Sequence, residues 1–369
     1  MNQLFRWNQM GLFLLALAAG ILPFAVPEVC AAALQEGLTL CSGPLLLSLF
    51  PFLVVSRLLI QCPESDLLAL PFRLAAWGIG IRTPCAARVL CIGFLGGFAP
   101  AASAAAQAVR TGQLTVEEAD ALLPACICSG PSFVVLTVGQ SLLGSAELGV
   151  LLFASQITAN YLTAALLNRF AGVRSVKPES AAPASPAPPR LDEILADAAI
   201  TYCKLCGFIL FFRMLAAGAG ALLPAGAGTL CAVLLEVCSG CDLASRTGRW
   251  GSLLCCAALS VQGLSVLLQV RTICPPEITL RPLYRSRLLH LPLSLALFYL
   301  LLPGGEADVF STLPARVLLM RRVPPDCALL VFAVCCMAAC TLRSGIRQVE
   351  QKQMARNAGG CCINSKTLL

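Results

Sequence analysis

A carboxylate stands inside an apolar run at Glu236, within Leu234-Leu235-Glu236-Val237-Cys238-Ser239-Gly240. An ionisable group at membrane depth is costly, so it marks a binding or ion-handling site unless hydrogen bonds bury it for structure alone. Two amides, Gln262 and Gln269, are seven residues apart and share one face of a regular helix. There they could hold a polar solute or join two helices. Serines accompany glycines at Ser129-Gly130-Pro131-Ser132, at Ser239-Gly240 and at Gly263-Leu264-Ser265, and a further glycine pair stands at Gly96-Gly97, followed by Phe98. Glycine and proline break the helical hydrogen-bond ladder. In lipid the freed backbone groups are tolerated only where protein or a water-filled cavity satisfies them. The chemistry on offer is therefore recognition: hydroxyls, amides, freed N–H groups and one carboxylate at membrane depth.

Other chemistries lack their residues. The single histidine, His290, argues against a histidine-rich metal site and against a histidine catalytic triad. Of the 21 cysteines most lie in apolar runs, where cysteine acts as a small hydrophobe. Two CxxC spacings, Cys203 to Cys206 and Cys238 to Cys241, have no histidine near them, and the reading is that neither binds metal. So many thiols argue against an oxidising location. No catalytic residue, metal or cofactor is expected, and the chain is not read as an enzyme. The formal charge of +7 sits mostly in loops and at the C-terminal end, without the basic patches interleaved with aromatics that nucleic-acid binding uses. Arg213 is expected to pair with Glu236 or with an anionic solute. Lys204 is expected to reach the cytoplasmic surface, and Arg57 to face the interface.

The elements that must position these residues are membrane helices. The 369 residues are 58% hydrophobic and 12% charged, against about 25% charged in soluble domains. Ten apolar segments of roughly spanning length are readable, near 10–27, 39–61, 84–108, 119–143, 148–168, 201–222, 226–245, 250–270, 288–303 and 326–342. Residues 191–200 are amphipathic and expected at the interface. Thr115-Val116-Glu117-Glu118 is a capping-box pattern, and Pro84 suits a helix start. A Pro/Ala/Ser-rich stretch at 175–190 divides the chain. The expected organisation is an N-terminal membrane repeat (1–168), a cytoplasmic linker (169–190), a C-terminal membrane repeat (191–342) and a basic cytoplasmic tail (343–369). The halves share G-x-S followed by three apolar residues, at Gly130 and at Gly263, each preceded by another glycine break. Such repeats characterise secondary transporters. Basic residues place linker and tail on one side. Five apolar segments lie between them, so one must fail to cross; 250–270, and 119–143 in the first half, are expected to be re-entrant. The fold class is thus an all-α polytopic membrane protein, with about 8–10 segments in two inverted repeats containing broken or re-entrant helices.

The run Gly93-Phe94-Leu95-Gly96-Gly97-Phe98, followed by Gly112, Glu118, Ser129-Gly130-Pro131 and Val138-Gly139, resembles the sporulation integral membrane proteins of the YlbJ type. Glu236 with Ser239-Gly240, then Gly263-Leu264-Ser265-Val266 and Gln269, agree in the second half, as does Leu49-Phe50-Pro51-Phe52 with Ser56. The resemblance covers about residues 37–290. It implies a nucleoside-recognition (Gate) membrane domain, a role in bacterial endospore formation, a place in a mother-cell-derived membrane and transport of dipicolinate.

The expected function is a transporter of a small organic anion, dipicolinate. Its expected substrate-binding residues are Gly96, Gly97, Phe98, Ser129, Gly130, Pro131, Ser132, Glu236, Ser239, Gly240, Gln262, Gly263, Ser265 and Gln269. Helix N-termini from each repeat would hold one carboxylate apiece, with Phe98 or Phe133 against the ring and Glu236 on a coupling cation or proton. Besides the anion and the bilayer, the expected partners are further copies of the chain or other sporulation membrane proteins, and no nucleic acid. The alternatives are a non-transporting membrane scaffold of a sporulation complex and, less favoured, a membrane enzyme.

Overall fold

The computed structural model describes residues 2–61, 63–172 and 190–302, and every regular element among them is helical. The expected segment 326–342, the basic tail and most of the linker lie outside these residues. In chain order the helices are α1 (Asn2–Ala25), α2 (Pro27–Ser42), α3 (Pro44–Gln61), α4 (Leu70–Gly78), α5 (Pro84–Gly96), α6 (Phe98–Arg110), α7 (Val116–Cys126), a π-helix (Ser132–Leu142) and α8 (Ala146–Ala171). Then come α9 (Leu191–Leu222), α10 (Ala225–Leu235), α11 (Val237–Ser245), α12 (Gly251–Val261), α13 (Gly263–Ile273) and α14 (Arg281–Leu301). Among the described residues, four stretches are long and apolar enough to cross a membrane: Pro27–Gln61, Ala146–Ala171, Leu191–Leu222 and Gly248–Ile273. The chain is an all-α membrane protein.

Local sequence explains many boundaries. Thr115 and Glu118 form the expected reciprocal capping box, with Glu118 N–H donating to Thr115 Oγ1 at 3.1 Å and Thr115 N–H to Glu118 Oε2 at 3.2 Å. Pro84 opens α5. Residues 191–200 form no separate interfacial helix; they are the first turns of α9, which runs unbroken for 32 residues.

The interruptions are of two kinds. At Gly97 the chain reverses. A Cβ built on Gly93 would lie 3.2 Å from the Ala101 Cβ, whereas eight residues of straight helix span about 12 Å. At Glu236 it reverses again: a Cβ on Gly240 would lie 2.8 Å from Val233 Cα, where seven helical residues span about 10 Å. So α5–α6 and α10–α11 are hairpins. By contrast α7 and the π-helix barely touch, and neither do α12 and α13, so the chain runs on past those breaks. This corrects the expected re-entrant segments: 84–110 and 225–245 turn back, while 119–143 and 250–270 are broken but continuous. A glycine break announces freed backbone, but its direction depends on the dihedral that results. Gly97 takes φ +82 and ψ −163, which folds the chain over, while Gln262 and Gly263 take successive left-handed values (φ 62 and φ 65) that kink it.

Small residues let these pieces pack closely. Nine residues of α6, from Ala99 to Ala108, are buried, seven of them alanines, and α6 touches α3, α5, α7 and α13. Without a hydrophobic force between helices in lipid, such close backbone approach supplies the packing.

Candidate functional site

All four interruptions meet. A Cβ on Gly97 would lie 2.6 Å from Gly130 N, so the tip of the first hairpin is seated on the break between α7 and the π-helix. A Cβ on Gly263 would lie 3.0 Å from Glu236 N, so the tip of the second hairpin is seated on the break between α12 and α13. The two breaks then join, with Gln262 Nε2 donating to the Ile127 carbonyl at 3.4 Å. Each half makes the same tip-on-break contact, and in each a glycine is required because any side chain would strike backbone.

A cavity of about 50 Å³ lies among these tips, enough for three to five water molecules. Of the expected site residues, Gly96, Phe98, Ser129, Gly130, Ser132, Glu236 and Gln269 line it, together with Phe133, Cys238 and apolar side chains from α3 and α9. Gly97 and Gly263 form its frame rather than its wall, and Pro131 lies between two lining residues in the first break. Ser265 is fully buried and accepts from Gln269 Nε2 at 3.0 Å, which sets that amide's orientation. Three residues stand away from the wall. Gln262 bridges the breaks, Ser239 gives its backbone N–H to Glu236, and Gly240 packs inside the second hairpin against Val233; the reversal there is at Glu236, not at Gly240.

Glu236 is 2% exposed and caps α11. Its Oε1 accepts from Cys238 N–H at 2.9 Å and its Oε2 from Ser239 N–H at 2.7 Å. The N-terminus of α11 therefore already holds a carboxylate, the protein's own. The N-termini of α6 and of the π-helix carry no such side-chain cap, and their first residues Phe98, Ser132 and Phe133 line the cavity. In the second half the N-terminus of α13, opening at Gly263, also lacks a side-chain cap, and its Val266 lines the cavity, so each half presents an uncapped helix end there. Arg213 pairs with Glu36 of α2 at 2.7 Å rather than with Glu236. Arg57 pairs with Asp197 at 2.6 Å rather than facing the interface alone.

Sequence reasoning passed over the group that satisfies the freed backbone. Gln156, Asn160, Thr163 and Asn168 lie on one face of α8 and are all buried. Asn160 Nδ2 donates to the Ile127 carbonyl at 3.2 Å, so two amides, from Asn160 and Gln262, serve that one freed oxygen. Asn168 Nδ2 donates to the carbonyls of Ile79 and Ala121. Gln156 Nε2 reaches Ser260 Oγ at 3.0 Å, and Ser260 meets Ser294 of α14 at 2.5 Å. Arg287, 8% exposed, donates through Nη2 to Asn160 Oδ1 at 3.0 Å. It supplies positive charge behind the carbonyl end of α7, where the helix dipole is negative. The signal was present: a polar stripe with helical spacing on an otherwise apolar helix. Arg287 was hidden because it precedes the apolar run that begins at Leu288.

Among the described residues no group of three or more histidine, cysteine or acidic side chains is placed to hold a metal. No protein-family model matches the chain, and no curated protein or solved structure matches it.

Proposed function

We propose that this chain is a transporter of a small organic anion, dipicolinate, acting in the membranes of endospore formation, and that it belongs with the YlbJ-type proteins its motifs resemble. The observation that carries the transport reading is the convergence of four helix interruptions on one cavity walled by serine hydroxyls, an amide, a carboxylate and uncapped helix N-termini. Irregular backbone at membrane depth is tolerated where protein or a water-filled cavity satisfies it, and transporters build their sites at such breaks. A scaffold has no need of polar groups aimed into its centre. The anion would lie between the N-termini of α6 and the π-helix, with Phe98 or Phe133 against its ring. Glu236 would carry the coupling cation or proton opposite. The cavity of about 50 Å³ has room for a few water molecules but not for the anion, so loading requires the hairpin tips to part.

The reading includes two inverted repeats, and the contact pattern supports them. If α3, α5, α6, α7, the π-helix and α8 correspond in order to α9 through α14, equivalent pairs touch. The contact of α6 with α13 is mirrored by that of α11 with the π-helix, and the contact of α7 with α14 by that of α12 with α8; α3 meets α9, and α8 meets α14. With 225–245 as the non-crossing hairpin and 326–342 taken as the crossing the sequence leads one to expect, four crossings would separate linker and tail, in keeping with basic residues on both that favour one and the same cytoplasmic side. Single cysteines in the linker and the tail, in a background without native cysteines, should be labelled from the same side. Labelling from opposite sides would end the inverted-repeat model.

Deletion in an endospore-forming host tests the substrate. Spores of the deletion strain should contain at least tenfold less dipicolinate while the mother cell still makes it. Normal spore content would remove dipicolinate as the cargo.

A further inference from the structure

A second cavity, of about 210 Å³, lies where the C-terminal ends of α3, α6 and α13 meet the N-terminal half of α9. Its charged lining is Arg57, Arg110 and Lys204 against one carboxylate, Asp197, so it is electropositive. Arg110 and Lys204 are exposed, which makes this cavity a mouth open to its surroundings. Its inner end is Gln269, which also lines the central cavity. The two cavities are thus neighbours across one amide.

Three polar atoms on this lining are buried without a hydrogen-bond partner: Arg57 Nε, Ser103 Oγ and Gln269 Oε1. Ser103 is 1% exposed on the alanine-rich α6, where its neighbours need no hydroxyl for packing. Gln269 is 2% exposed and spends its amide nitrogen on Ser265. Buried polar groups are ordinarily paired, so three orphans on one wall point to an occupant. Arg57 Nε and the Ser103 hydroxyl are donors, while Gln269 Oε1 is an acceptor suited to the O–H of a protonated carboxyl or phosphate group. Donors in an electropositive recess fit an oxyanion.

Resting on the transport reading above, we propose that this cavity is a vestibular anion site, in which Arg57, Ser103, Arg110 and Lys204 hold a carboxylate or phosphate group before it passes Gln269 into the central cavity. The Arg57–Asp197 pair, 2.6 Å apart, regulates it: Asp197 competes with the incoming anion for the same guanidinium. The charge also raises the local concentration of anions at the mouth, an effect that salt screens.

Equilibrium binding of radiolabelled dipicolinate, and separately of inorganic phosphate, to the purified full chain in phosphatidylcholine nanodiscs tests this. Wild type should bind with an affinity that falls steeply with salt. Arg110→Gln with Lys204→Gln, both at exposed positions, should weaken binding at least tenfold and flatten the salt dependence, and Arg110→Lys with Lys204→Arg should restore most of it. Asp197→Asn should tighten binding severalfold, a gain that a merely structural pair would not produce. Adding phosphatidylglycerol separates the sources of the oxyanion: a loss of solute affinity in wild type identifies a lipid headgroup as the resident, and unchanged affinity identifies the free solute. Absence of binding by wild type, or binding indifferent to the double substitution, overturns the vestibule. If transport is normal in that double variant at low anion concentration, the vestibule falls while the transporter stands. If binding depends on Arg110 and Lys204 but no anion is carried, the vestibule stands and the transport reading falls.

Discussion

Gly97→Ala should lower the stability of the protein by at least about 3 kcal/mol and abolish transport. Two costs combine. The backbone at φ +82, ψ −163 belongs to a region that only glycine adopts freely, a strain of about 1–3 kcal/mol for other residues. The new Cβ would also stand 2.6 Å from Gly130 N and 2.9 Å from Gly130 Cα, backbone atoms that cannot swing away as a side chain could. Relief requires the hairpin tip to lift off the break, which opens the cavity wall at Gly130. Gly112→Ala supplies the control: Gly112 also has positive φ (+70) but nothing within 4 Å of its Cβ position, so the substitution should cost only about 1–2 kcal/mol. Thermal denaturation in detergent, read by the loss of monodisperse protein, compares the two. Equal losses would mean that the tip of the first hairpin does not rest on the break.

Glu236→Gln should separate coupling from binding. The carboxylate accepts two backbone N–H groups at the start of α11, one on each oxygen. A glutamine keeps one acceptor and turns its amide nitrogen toward an N–H, losing a cap worth about 0.5–2 kcal/mol. Glu236→Asp keeps a carboxylate at a position where aspartate caps well, and should retain most of the stability. On transport, Glu236→Gln should reduce gradient-driven anion uptake about tenfold or more and remove its dependence on the driving cation or proton, while equilibrium binding of the anion changes less than threefold. Uptake at the wild-type rate with unchanged ion and pH dependence would make Glu236 a cap and nothing more.

Much of this site was legible because breaks in membrane helices are written in a few residue types. Gly96-Gly97, Ser129-Gly130-Pro131 and Gln262-Gly263 announce freed backbone wherever they occur, and the structure brings all three together with Glu236. The capping box before α7 was legible because its two partners, Thr115 and Glu118, stand three residues apart in one local pattern. The direction of each break was not. Whether a chain folds back or kinks at a glycine depends on what it packs against, and the assignment of the two hairpins needed the contacts of Gly93 with Ala101 and of Gly240 with Val233. Partners far apart in sequence were equally hidden. Arg213 pairs with Glu36 of α2, a helix whose residues 28–38 fall between the expected apolar segments 10–27 and 39–61. The acidic residues Asp192, Glu193 and Asp197 likewise gave the start of α9 the look of a separate interfacial helix, although nothing in the backbone interrupts it.

The central claim is that the four meeting breaks form a path for a small organic anion. The direct measurement is flux: purified protein in liposomes, an imposed proton or sodium gradient, and labelled dipicolinate outside. The account predicts gradient-dependent accumulation that saturates with dipicolinate concentration and disappears in Gly97→Ala, even in the fraction of that variant which remains monodisperse. Wild-type protein that is folded and inserted, yet moves no dipicolinate under either gradient or in either direction, would contradict it and leave the convergence of the breaks as the frame of a membrane scaffold.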